Sequence, residues 1–166
     1  MNLPPYADFP NILGNKILLR QVLRSDLKDI IEISFYDGKK AKTLEDATMM
    51  LDKIDKDYSE GNSIHWCIAD ISTNKLVGTC GYYRGFDNGE GELGCILLPQ
   101  FRGQGFMLEA MQLAIDFGFN SMRLKRIWAI TSKHNFKAIK LLNRLNFIQV
   151  KDLQNDEIEF EIREFK

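Results

Sequence analysis

Net charge is almost missing from this chain: 22 Lys and Arg stand against 23 Asp and Glu, leaving −1 over 166 residues. Such a balance does not point to a nucleic-acid backbone or an anionic membrane, both of which recruit excess positive charge. No apolar run approaches the ~20 residues that cross a bilayer. Residues 1–10 lack the basic start and apolar stretch of a secretory leader. Cysteine is scarce too. Cys67, Cys80 and Cys95 are odd in number, fall in strand-like runs and show no C-x-x-C spacing, so they read as small buried hydrophobes of a reducing compartment. The cytoplasm is therefore the expected location. His65 and His134 have no metal-ligand spacing, and no metal is expected. Repeats and low-complexity segments are absent, which leaves one domain over residues 1–166 with room for a full core.

What the chain does have is periodicity. Residues 16–23 read as a strand. Ser25 is placed to cap a short helix whose apolar positions are Leu27, Ile30, Ile31 and Phe35. After a polar link at 37–42, Thr43-Leu44-Glu45-Asp46 has the form of a capping box, with Asp at its end. It opens a helix with Ala47, Met50, Leu51, Ile54 and Tyr58 on one face. Strands follow at 64–71, 76–84 and 90–98. A long helix is expected from Gly105 to about Ser121, a strand at 126–131, and a late helix at 135–145 that ends on Asn146, a residue tolerant of the left-handed conformation. Strands at 147–150 and 158–162 close the chain, the last alternating Ile158, Phe160 and Ile162 with charged residues. The order βααβββαβαββ predicts an α+β (α/β layered) protein, a mixed sheet with helices on both faces.

One stretch organises the rest. Pro99 stops the strand that precedes it, and Leu108, Met111, Ile115 and Phe119 recur at helical spacing beyond it. Gly103 and Gly105 therefore sit just before and at the opening of a helix, where orphan N–H groups and the helix dipole favour an anion. Glycine allows positive φ there and close approach of a ligand. A tight turn without a ligand is the plainer reading of the same pair. It is not a Walker A loop, because Phe106 and Met107 stand where Lys and Ser/Thr would be, and Leu108 replaces the third glycine of a dinucleotide fingerprint.

The remaining pattern, Gln-x-x-Gly-x-Gly from Gln100 to Gly105, resembles the acyl-CoA pyrophosphate loop of the GNAT N-acetyltransferase superfamily. Glu92-Leu93-Gly94 before it, Asn135-Phe136-Lys137-Ala138 and Leu141-Leu142-Asn143-Arg144-Leu145-Asn146-Phe147 after it resemble the branch that acetylates ribosomal-protein N-termini. Ile17-Leu18-Leu19-Arg20 followed by Asp26 is similar to that branch's opening. Ala138 departs from the branch's serine and Asn146 from its glycine. The resemblance implies a mostly antiparallel sheet of about seven strands and an acetyl-CoA-dependent N-acetyltransferase without a covalent intermediate or a metal. It also implies an amine acceptor, a protein N-terminus or a small molecule, and a monomer or homodimer. A non-catalytic acyl-CoA-binding module is the alternative.

By the same resemblance, main-chain groups of Ile96, Leu97 and Leu98 hold the pantetheine arm. Amides of Arg102, Gly103, Gln104, Gly105, Phe106 and Met107 take the pyrophosphate. Asn135 either bonds the arm or caps its own helix, with Ala138 beside it, and Glu92 is the general base or else a polar strand-end residue. The tyrosine that many relatives use as general acid is replaced by Leu142. Trp66 and Trp128 are expected in the core. Independently of motifs, residues 117–151 hold Arg123, Lys125, Arg126, Lys133, Lys137, Lys140, Arg144 and Lys151 and no carboxylate, a setting that suits the phosphates of CoA. Without interleaved aromatics, the segment does not read as an RNA platform.

Overall fold

The computed structural model describes residues 1–164. In chain order the strands are β1 (Ile12–Leu13), β2 (Ile17–Gln21), β3 (Phe35–Tyr36), β4 (Lys39–Lys40), β5 (Ile64–Asp70), β6 (Leu76–Tyr83), β7 (Glu90–Leu97), β8 (Arg126–Ser132), β9 (Ile148–Asp152) and β10 (Glu157–Arg163). The helices are α1 (Leu27–Ile30), α2 (Leu44–Ser59), α3 (Phe106–Asn120) and α4 (Phe136–Arg144). Eight strands form one sheet in the order β1-β2-β5-β6-β7-β8-β10-β9, and β3 pairs with β4 apart from it. Every pairing is antiparallel except β7 with β8. The two-residue β1 makes the sheet one strand wider than expected.

Alternation along the strands divides the core in two. Tyr82, Leu93, Leu97 and Ile127 pack with Ala110, Ile115 and Leu142 of α3 and α4. Cys67, Ala69 and Leu98 pack with Leu27, Ile30, Ala47 and Leu51 on the α1/α2 side. Trp66 is fully buried and donates its indole N–H to Pro10 O at 2.9 Å, whereas Trp128 is half-buried. The capping box forms as expected, Thr43 Oγ1 accepting from Asp46 N–H at 3.1 Å and Asp46 accepting from Thr43 N–H at 3.1 Å.

Three expectations are corrected. Ser25 caps nothing: Asp26 bonds Leu23 N–H at 2.8 Å and pairs with Arg20 at 2.7 Å, so the longer-reaching carboxylate ties the turn to β2. Phe35 is not on a helical face but in β3, exposed, because α1 ends at Ile30 and a short 3-10 turn follows. Arg126 does not face a phosphate. It is enclosed by Glu90 at 2.6 Å, Glu159 and Glu161, so three carboxylates already hold its charge.

Helix α3 reaches the sheet this closely only because position 118 is bare. A Cβ built on Gly118 would lie 2.4 Å from Tyr82 Oη, which donates to Ala114 O at 2.8 Å. Gly118→Ala is expected to destabilise the fold by about 2–4 kcal/mol, through overpacking and loss of that buried bond. Urea titration checks this; a midpoint equal to the wild-type one would mean that α3 shifts freely.

Candidate active site

β7 is held by β6 from Glu92, opposite Tyr83, to its end at Leu97, opposite Gly78. On its other side it pairs with β8 only at Glu90, Gly91 and Glu92. Beyond Glu92 the two parallel strands part, and among the described residues no strand pairs with that edge of β7. α3 follows β7 and α4 follows β8, so both helix N-termini open at the carboxyl ends of the parting strands, the usual ligand position in sheets with parallel strands. Leu98 N–H is taken by Val77 O at 2.9 Å, and the Ile96 carbonyl also turns towards β6, against Gly78. Alternation then presents the main chain of Leu97 and Cys95 to the gap. Of the three residues expected to hold an arm there, Leu97 alone faces it.

The loop after β7 is wound as the glycines suggest. Gly103 has φ +76° and Gly105 φ +87°, the latter at the N-cap of α3. Arg102 N–H donates to Pro99 O at 3.3 Å and leaves the expected set. The first backbone bond at the head of α3 is Glu109 N–H to Gly105 O at 3.3 Å. Among the described residues the N–H groups of Gly103, Gln104, Gly105, Phe106 and Met107 therefore have no acceptor, a row of donors at a helix N-terminus. The Arg102 side chain turns back to Leu97 O, both contacts at 3.3 Å. Lys16, which the sequence did not single out, brings its ammonium beside Gly105: a Cβ there would lie 3.8 Å from Nζ.

Asn135 caps α4, its Oδ1 accepting from Ala138 N–H at 3.2 Å. That settles one of its two readings and leaves Ala138 half-buried without a hydroxyl to offer. Leu142 is buried in the core, so α4 presents no proton donor at either expected place. Lys137, Lys140 and Arg144 are exposed along α4, while Lys133 pairs with Asp152 at 3.4 Å.

Behind the gap, on the α1/α2 face, lies a cavity of about 640 Å³ whose wall includes Glu92, Gly94, Cys95 and Ile96 of β7. The two spaces share the same stretch of strand. Glu92 Oε1 and Oε2 accept from one Arg84 nitrogen at 2.9 and 2.8 Å. Burial raises the Glu92 pKa above its ordinary value, Arg84 works against that shift, and Glu159 and Glu157 add to it. The result is a carboxylate more basic than one in water. His65, Tyr83 and Ser63 also line the cavity. Sequence reading missed all three as site residues; the signal was a polar residue at every second position, 63 and 65, entering an otherwise apolar strand.

A protein-family model described as an acetyltransferase (GNAT) domain matches residues 16–148. The protein named Uncharacterized N-acetyltransferase p20, from Bacillus licheniformis, is 40% identical over 89 residues, covering 53% of this chain and 50% of p20. The chain thus aligns with about half the length of that relative. Uncharacterized N-acetyltransferase YoaA of Bacillus subtilis (strain 168) is 26% identical over 147 residues, 84% of this chain and 83% of YoaA. Among solved structures, a ribosomal-protein-S5-alanine acetyltransferase from Vibrio fischeri superposes with a TM-score of 0.76 at 20% identity, covering 93% of this chain and 96% of that one. At that identity the likeness is one of fold.

Proposed function

The chain belongs to the GNAT acetyltransferase family, and from that premise we propose that it moves an acetyl group from acetyl-CoA directly to a primary amine, with Glu92 as general base. The observation that carries this reading is the unpaired edge of β7, bounded at one end by the donor row from Gly103 to Met107 and at the other by Glu92. The donor row takes the pyrophosphate, at roughly 1.5–3 kcal/mol for each hydrogen bond to a charged acceptor. Lys16 adds positive charge. The main chain of Cys95 and the N–H of Leu97 pair with the pantetheine arm as an added strand would, the Leu97 carbonyl already accepting from Arg102.

The acceptor enters through the cavity on the α1/α2 face and meets the thioester beside Gly94. Its nitrogen attacks the carbonyl carbon, the new C–N bond replaces C–S, and an N–H of β7 faces the oxyanion. Glu92 accepts the amine proton through a water, and the departing thiolate is protonated from solvent, since α4 supplies no acid. An α-amine, with pKa near ~7.8, is partly neutral at pH 7, whereas a lysine amine at ~10.4 is neutral about once in a few thousand molecules. A water-relayed carboxylate therefore favours acceptors of low pKa, protein N-terminal amines among them.

Thiol release from acetyl-CoA over a panel of amines and short peptides tests the reading, with calorimetric titration of acetyl-CoA alongside. Saturable binding with amine-dependent release is expected. No binding at millimolar acetyl-CoA overturns the reading. A second reading, a non-catalytic acyl-CoA-binding module, is favoured by Ala138 and Leu142 standing where α4 could have carried an acid; binding with no release from any acceptor selects it.

A further inference from the structure

The cavity on the α1/α2 face is unequal at its two ends. One end is apolar, walled by Leu27 and Ile30 of α1, Leu51 and Ile54 of α2, and Ile96 of β7. The other end is polar and holds an unanswered group. Ser63 is 3% exposed, and its Oγ has no hydrogen-bond partner among the described residues. Two residues on, His65 Nδ1 lies 2.6 Å from Tyr83 Oη, and Nε2 makes no hydrogen bond among the described residues. The Tyr83 ring is held down by bare backbone: a Cβ on Gly81 would sit 2.8 Å from its hydroxyl, and one on Gly94 3.0 Å from its ring. This keeps the polar end open above the ring.

The charges lining the cavity are one-sided. Asp37, Asp57, Asp87 and Glu92 line the cavity, and the single cation among the lining residues, Arg84, is already on Glu92. Burial lowers the His65 pKa to about 4, and the Tyr83 phenol is pushed well above its ordinary value, so both are neutral at working pH. A cation is thus admitted and an anion opposed. A second cation lying against the side chains of Leu27, Ile30, Leu51 and Ile96 would have no charged partner among them, which leaves its desolvation uncompensated there. A buried hydroxyl without a partner is likewise unfavourable until something bonds it.

Resting on the acetyltransferase reading, we infer that the cavity selects a monoamine with an apolar body and one neutral hydrogen-bonding group, the body lying against Leu51 and Ile96 and the neutral group bonding Ser63 Oγ and His65 Nε2. The closest simple form of that chemistry is an apolar α-amino amide. Free amino acids fail on their carboxylate, and polyamines on their second ammonium.

Four acceptors separate these terms at saturating acetyl-CoA: leucinamide, leucine, isoamylamine and spermidine, followed by thiol release. With every kcat/KM referred to the neutral fraction of the reacting amine, leucinamide is expected to exceed leucine and spermidine at least 50-fold, and isoamylamine, which lacks the amide, about 10-fold. Ser63→Ala removes a hydroxyl that bonds nothing and therefore folds. It is expected to raise KM for leucinamide about 10-fold, equivalent to ~1.4 kcal/mol, with kcat, the KM for acetyl-CoA and all isoamylamine constants unchanged. Met50→Glu, half-buried on the α2 wall, is expected to raise spermidine turnover relative to leucinamide at least 10-fold. Equal kcat/KM for the four amines, or a Ser63→Ala effect equal for leucinamide and isoamylamine, overturns the inference while the acetyltransferase reading stands. Absence of acetyl-CoA binding overturns both.

Discussion

Valine at position 103 is expected to weaken acetyl-CoA binding at least 100-fold while moving the melting temperature by no more than a few degrees. The effect does not come from a clash, because a Cβ on Gly103 meets nothing within 4 Å. It comes from φ +76°, a region in which a β-branched residue is strained by roughly 1–3 kcal/mol. The loop from Arg102 to Gly105 is exposed, so the backbone relieves that strain by turning the peptide planes rather than by unfolding the domain. The turned planes are the ones whose N–H groups make up the donor row. Losing two bonds to a charged acceptor costs about 3–6 kcal/mol, which is 10²–10⁴ in affinity. Gly38→Val is the control: it has the same left-handed φ, +72°, and the same open surroundings, but sits in the β3–β4 turn away from the loop. Calorimetric titration of both variants with acetyl-CoA decides the matter. If Gly103→Val binds as Gly38→Val does, the pyrophosphate is held elsewhere.

That loop was readable in advance because its cause is local. Pro99 stops a strand, two glycines take positive φ and a helix begins, all within eight residues. The same holds for the Thr43–Asp46 capping box and for Asn146, which adopts φ +63° after α4. Features set by strand register were not readable. Which of Ile96, Leu97 and Leu98 faces the gap depends on the pairing of β7 with β6, and Leu98 N–H finding Val77 decides it. His65 and Tyr83 meet because β5 pairs His65 with Gly81, whose missing side chain lets the Tyr83 hydroxyl reach across. Arg126 looked like part of a basic stretch along the chain. It is neutralised by carboxylates from β7 and β10, the latter more than thirty residues away in sequence. Local pattern therefore carried the glycine loop at the head of α3, and the cavity on the α1/α2 face had to wait for the sheet that assembles it.

Glu92→Gln is expected to lower kcat/KM for an amine acceptor 10²–10³-fold at pH 7 and by less as pH rises. General-base assistance contributes about 10²–10⁴, and its share shrinks once an α-amine with pKa near ~7.8 loses its proton unaided. The variant keeps the shape and gives up an ion pair with an Arg84 whose side chain is 69% exposed, worth about 0–1 kcal/mol, so the fold survives. The pH profile separates base from bystander. Burial raises the Glu92 pKa, and the ionised form is the base, so wild-type activity falls as pH drops through that raised value. In the Gln variant this acid limb disappears and only the limb set by the amine remains. Arg84→Ala gives the complementary sign: it removes the cation that opposes the upward shift, so the acid limb moves to higher pH while activity above it is retained. A Gln variant whose profile overlays that of the wild type would take Glu92 out of the chemistry. An Arg84→Ala profile displaced to lower pH would mean that the proton leaves by another group.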